Sequence, residues 1–252
     1  MSSRERDFVA ALGKGLAVVE AFGPASPQLT LSEVAHRTGL TRAAARRYLL
    51  TLARLEYAEY DGKRFSLTPR VLRLGYAFLS TSPLPKLVQP VLEAIGEKTQ
   101  EVASVAILDG ADILFLAHSR NRRIVSVASS VGSRFPAYCT AIGRVLLAGR
   151  PEADVERFLR GVRPRKLTSR TKTAYRELLH AVATARQHGY AVCDEELELG
   201  LRSIAVPVAN SRGETVLGMS VSLQAARMSA ARMVERLLPL LRAGGQSLSA
   251  ML

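Results

Sequence analysis

Residues 30–55 read TLSEVAHRTGLTRAAARRYLLTLARL, and this stretch constrains the fold more tightly than any other in the chain. Thr30 precedes Glu33 by three residues, the spacing of a capping box, so a short helix is expected from about Leu31 to Arg37, stopping at Thr38-Gly39. Thr41 caps the next helix, TRAAARRYLLTLARL, whose Ala45, Tyr48, Leu49, Leu52 and Leu55 fall on one side at helical spacing. Two capped helices separated by only Thr38-Gly39-Leu40 form a helix-turn-helix. The flanks extend the pattern. Residues 8–22, FVAALGKGLAVVEAF, have helical apolar spacing and end at Gly23-Pro24, while EYAEYDGKRFSLT places two strand-like runs around Asp61-Gly62, a hairpin signal. Helix, helix, helix, hairpin is the order of a winged helix-turn-helix.

A further helix is predicted over PRVLRLGYAFLSTS, and Ser82-Pro83-Leu84-Pro85 breaks it at a domain boundary. Beyond the boundary the elements alternate. Residues 87–100 suit a helix; ASVAILDG, ADILFLAHS and IVSVASS read as strands, the first two joined at Asp109-Gly110. AIGRVLLAG begins a helix, TAYRELLHAVATARQHG is a long one ending at Gly189, RSIAVPVANSRGETVLGMSVSL reads as two strands around a turn, and MSAARMVERLLPLLRAG is helical. Interleaved strands and helices imply one α/β sheet domain. No internal repeat is visible.

Arg42, Arg46 and Arg47 stand near the start of the second capped helix, with Arg46 and Arg47 off its apolar stripe and Arg42 at its border. Arginine offers a permanent charge and a fork that matches guanine's acceptors, and helix-turn-helix proteins touch bases near this helix start. Lys63 and Arg64 at the hairpin tip would reach a neighbouring groove or phosphates. A solvated basic face is the competing explanation. The chain's net charge of +13 fits a polyanionic partner, although arginine greatly outnumbers lysine throughout and raises the charge everywhere.

The segments ALGKGLAVVEAF, LTLSEVAHRTGLTRAAARRYLLTL, LTPRVLRLGYAFLS, PAYCTAIGRVLLA and GYAVCDEELELGLRSIAVPV, in this order, resemble the IclR family of bacterial transcriptional regulators across nearly the whole chain. Within it the chain is most similar to the PcaR/PcaU/PobR subgroup, regulators of aromatic-acid degradation. The resemblance implies an α+β protein: a winged helix-turn-helix over 1–68 with Thr41, Arg42, Ala43, Arg46, Arg47, Lys63 and Arg64 at DNA, a linker helix over 69–83, and a GAF-like effector domain over 84–252. It also implies homodimers, which pair into tetramers in some members, on a palindromic double-stranded operator, with a small aromatic or keto acid as effector. Matching the family's motifs places the effector against Ala141 and Ile142 at a helix start, Cys193, Ser203, Ser220 and Ser222. Cys193 departs from the acidic residue often found there. Arg134, just before PAYCTAIGR, is the candidate charge partner. Free helix-start N–H groups with serine hydroxyls suit a carboxylate.

Each of these residues also has a plainer role: local hydrogen bonds for the serines, a small core side chain for Cys193, a surface charge for Arg134. Asp194, Glu195, Glu196 and Glu198 lack a histidine at ligand spacing and are expected to form a solvated turn. His36, His118, His180 and His188 fall in no catalytic motif, no cofactor is expected, and a Cys139–His118 pair is a remote nucleophile option. Cys139 and Cys193 are expected as reduced, buried thiols. With no apolar run near the roughly eighteen residues of a membrane span and no secretory signal, the expected location is cytoplasmic. The competing function is a small-molecule enzyme or sensor whose basic N-terminal domain serves assembly.

Overall fold

The computed structural model describes residues 8–23, 26–120 and 130–252. The strand expected at IVSVASS, 124–130, lies outside them apart from Ser130, as does Pro24. The chain divides into two compact units, Met1–Ser82 and Pro83–Leu252.

The first unit holds helices α1 (Ala10–Glu20), α2 (Leu31–Thr38) and α3 (Arg42–Arg54), then strands β2 (Ala58–Tyr60) and β3 (Phe65–Leu67) and helix α4 (Leu72–Thr81). The capping box forms with both arms: Glu33 N–H donates to Thr30 Oγ1 at 3.3 Å and Thr30 N–H donates to Glu33 Oε2 at 2.7 Å. Gly39, at φ 65°, ends α2 in the left-handed conformation that favours glycine. An unanticipated strand, β1 (Gln28–Leu29), pairs with β3 and completes a three-stranded antiparallel sheet in the order β1-β3-β2. Val18, Leu29, Val34, Leu49 and Phe65 close a small core between the helices and this sheet.

The second unit opens with α5 (Leu84–Thr99). The expected break therefore narrows to Ser82-Pro83, because Pro85 in the first helical turn sacrifices no intrahelical hydrogen bond. Strands β4 (Val102–Asp109), β5 (Asp112–His118), β6 (Arg134–Pro136), β7 (Ala191–Asp194), β8 (Leu201–Ala209) and β9 (Thr215–Gln224) form one sheet in the order β6-β5-β4-β9-β8-β7. Every pairing in it is antiparallel. The alternation read as an α/β sheet thus builds an α+β layered structure. Side-chain alternation feeds two cores: Ile204 and Val206 of β8 pack with α5 and α9 (Ala230–Ser249), whereas Ala205 between them packs with α6 (Ala141–Ala148), α7 (Glu152–Gly161) and α8 (Tyr175–His188). Among the described residues, no helix is long and apolar enough to cross a membrane.

Candidate functional site

Two surfaces carry the candidate residues. On the first unit, Thr41 caps α3, accepting a hydrogen bond from Ala44 N–H at 3.2 Å. Ala45 and Leu49 enter the core, so Arg42, Ala43, Arg46 and Arg47, which share the opposite side at i, i+4 spacing, are exposed. No carboxylate among the described residues pairs with the three arginines, and α3 itself contains no Asp or Glu. The hairpin tip is rigidly built. Asp61 Oδ1 accepts from Lys63 N–H at 2.7 Å and Arg64 N–H at 2.6 Å, bonds that hold its carboxyl below the ordinary carboxylate range. Lys63 is exposed, whereas Arg64 is half-buried and donates to the Gln28 carbonyl of β1 at 3.3 Å. Of the two tip cations, Lys63 is the freer.

On the second unit a cavity opens between the sheet and the start of α6. Its floor follows from strand register. Ser104 of β4 faces Ser220 of β9, which faces Ala205 of β8; one row along, Ser222 faces Ser203, which faces Cys193 of β7. Cross-strand partners share a sheet face, so all four serines border the cavity. Ser104 is the serine that sequence reading missed; it is the lone polar side chain inside the apolar run of β4. Its Oγ lies 2.8 Å from Nδ1 of His118, whose pKa burial lowers, which favours the neutral imidazole.

The roof is the start of α6. The Thr140 side chain takes the Gly143 N–H at 3.1 Å, which leaves the N–H groups of Ala141 and Ile142 without a partner among the described residues. Two glycines permit the close packing. A Cβ on Gly143 would lie 2.1 Å from the Ala137 carbonyl oxygen, and one on Gly218 of β9 would lie 2.7 Å from the Ile142 side chain. Ile113, Phe115 and Phe135 give an apolar wall.

Arg134 is a correction. Phe135 turns into the cavity, so its strand neighbour Arg134 points to the other face and pairs with Asp109 and Asp112. The acidic turn is a second correction. Glu196 is 2% exposed and accepts both guanidinium arms of Arg144 at 2.7 Å, with Lys172 Nζ at 3.0 Å. Burial pushes its carboxyl up, but the hydrogen bonds and charges of Arg144 and Lys172 outweigh this and hold it below its ordinary value of 4.5. Asp194 pairs with Arg202 at 2.7 Å, and Glu195 accepts from Gly200 N–H at 2.9 Å. Cys139 and Cys193 are free thiols that border the cavity, each pushed up to about 12 by burial. Cys139 donates towards the Pro136 carbonyl at 3.6 Å, while His118 meets Ser104, so the structure does not join the suggested Cys139–His118 pair.

Residues 11–62 match the model of the IclR helix-turn-helix domain, and residues 76–250 match that of the C-terminal domain of bacterial IclR transcriptional regulators. The chain is 42% identical over 243 residues to the Pca regulon regulatory protein of Pseudomonas putida, covering 96% of this chain and 84% of that protein. It is 36% identical over 244 residues to the p-hydroxybenzoate hydroxylase transcriptional activator of Acinetobacter baylyi, covering 95% and 90% of the two. A crystal structure of a double mutant of the PobR inducer-binding domain from Acinetobacter, in complex with 3-hydroxybenzoic acid, superposes with a TM-score of 0.64 at 28% identity, covering 67% of this chain and 98% of that one.

Proposed function

Since this chain belongs to the IclR family of bacterial transcriptional regulators, we propose that it is a ligand-responsive regulator of aromatic-acid catabolism genes. The observation that carries the ligand half is the juxtaposition, around one cavity, of two unpartnered helix-start N–H groups, four serines and an apolar wall. Aromatic acids fit this chemistry. A carboxylate is stabilised by the N–H groups and the positive end of the helix dipole, and a ring stacks against Phe115 and Phe135. In this reading Ala141, Ile142, Cys193, Ser203, Ser220 and Ser222 contact the effector, with Ser104 added and Arg134 withdrawn.

The DNA half rests on the exposed α3 surface. Thr41, Arg42, Ala43, Arg46 and Arg47 face the major groove, and Lys63, with Arg64 behind it, reaches the flanking backbone. A homodimer sets two α3 helices in grooves roughly 34 Å apart on a palindromic operator. The exposed apolar side chains Leu12 and Leu16 on α1 and Leu72 and Tyr76 on α4, each pair at i, i+4 spacing, are covered by the second copy.

Capture and sequencing of genomic fragments by the purified protein, with and without 4-hydroxybenzoate and protocatechuate, tests both halves. Enrichment of a palindrome beside aromatic-catabolism genes that changes with either acid is the expected result. Enrichment indifferent to both acids would remove the ligand assignment. Arg46→Ala should weaken specific binding by about 1–3 kcal/mol if that side chain reads a base.

A further inference from the structure

The effector unit, residues 83–252, contains 23 Lys and Arg against 15 Asp and Glu, a surplus of eight positive charges, while residues 1–82 contain 12 against 7, a surplus of five. The unit without the helix-turn-helix therefore carries a positive excess of its own. Eight of its cations fall between Arg157 and Arg176, with no acid between Glu156 and Glu177. The structure sorts them. Arg157 pairs with Asp154, Arg160 with Glu156, Arg170 with Asp194 and Glu195, and Lys172 with Glu196. Arg163, Arg165, Lys166 and Arg176 are exposed and belong to no ion pair among the described residues.

Three of those four lie on the connection 162–174 between α7 and α8, which has no regular secondary structure but is firmly anchored. The Arg165 N–H donates to Tyr138 Oη, and the Tyr138 hydroxyl donates back to the Arg165 carbonyl, both at 2.9 Å. Tyr138 is itself 6% exposed. Thr168 Oγ1 donates to the Glu195 carbonyl at 2.7 Å, and Thr171 Oγ1 to the Glu196 carbonyl at 2.6 Å. Pro164 fixes its own φ and disfavours a helical Arg163, so Arg163 and Arg165, two residues apart on a connection without regular secondary structure, lie within about 7 Å of one another along the chain. A loop backbone fastened to a buried phenol while its guanidinium stays in water gains no folding energy from that charge. Its preorganisation lowers the entropic cost of binding an anion.

We propose that the 162–174 connection is a phosphate-backbone contact, by which the effector unit itself holds duplex DNA through Arg163, Arg165 and Lys166. Nucleic acid is favoured over an acidic protein because the proposed function already brings a duplex to the molecule, and because arginine forks match phosphate oxygens. The inference rests on that DNA-binding reading.

The test uses the full chain and a random-sequence duplex, with affinity measured across a KCl series for the wild type, for the Arg163→Ala, Arg165→Ala, Lys166→Ala triple variant, and for an Arg46→Ala, Arg47→Ala variant. Each lost phosphate contact should reduce the slope of log affinity against log salt by about 0.9, so the triple variant should lose up to about 3. Tyr138→Phe retains every charge but releases the Arg165 end of the loop, leaving the Thr168 and Thr171 anchors, and should weaken binding with a smaller change of slope. An unchanged slope and affinity in a folded triple variant, with the α3 variant impaired, overturns the loop contact and leaves the proposed function standing. A wild type that binds no duplex overturns both. Competition by polyglutamate as effective as that by DNA would assign the loop to an acidic protein and overturn the nucleic-acid contact.

Discussion

The two units solve burial differently. The first closes one small core around Val18, Val34, Leu49 and Phe65 and leaves Phe8, Val9, Leu12 and Leu16 exposed around α1 and Leu72, Tyr76 and Phe78 exposed on α4. The second, roughly twice as long, covers both faces of a six-stranded sheet and encloses an ion pair; its large exposed apolar side chains among the described residues are only Val131, Leu167, Leu199 and Met251. Small domains bury a smaller fraction of their surface and are correspondingly marginal. The unit that meets the polymer is thus held by few contacts and local caps, whereas the unit that meets the small molecule is a thick scaffold. Scanning calorimetry should resolve two transitions, the first unit melting at the lower temperature; a single coincident transition would break the contrast.

Arg144→Met should be the most damaging change, lowering the upper transition by about 3–5 kcal/mol, because Glu196 remains buried with only Lys172 to neutralise it. The lower transition should not move. The same carboxylate gives a pH signature. Its folded pKa lies below 4.5, so its contribution is complete above that value and disappears as pH falls through the lowered one. Glu196→Gln should remove that acid dependence, and an upper transition that titrates identically in both proteins would refute the assignment. Thiol labelling at pH 8 supplies an independent readout, since Cys139 and Cys193, each near 12, should react only when this unit opens.

Leu49→Ala should come next, at about 2–4 kcal/mol confined to the lower transition, because a fully buried leucine leaves a hole in a core with little else to fill it. Thr30→Ala removes one arm of the capping box and should cost about 1 kcal/mol, visible in the same transition by denaturant titration. Arg157→Ala breaks an ion pair whose arginine side chain is 78% exposed; a change larger than about 0.5 kcal/mol would be unexpected.

What the sequence revealed tracks the range of the interactions. Thr30 with Glu33, Thr41 with Ala44, Asp61 with Gly62 and Gly189 after α8 act over four residues or fewer, and each sits where its local chemistry puts it. β1 escaped notice because two residues display no alternation. Arg134 was misread because its carboxylate partners come from the β4–β5 hairpin, 22 and 25 residues away, and because one step of strand register decides which face a side chain takes. Glu196 looked like a solvated acid because Arg144 lies 52 positions earlier. The serines were individually visible on their strands, but the two rows that gather them, with Ser104 added, exist only once β4, β9 and β8 are adjacent.

Tyr138 has a consequence for how this sensor can be rebuilt. Its backbone leads directly into Cys139, Thr140 and the start of α6, while its hydroxyl grips Arg165 across 27 positions of chain. A designer who reshapes the cavity at Cys139 or Thr140 therefore also disturbs the neighbour that anchors a basic loop, whereas Ser203 and Ser222, on the cavity floor, are not part of that tether. On the proposed effector site, the serine floor is the place to teach the protein a new acid, and the tyrosine side is the place to alter how firmly the loop is held.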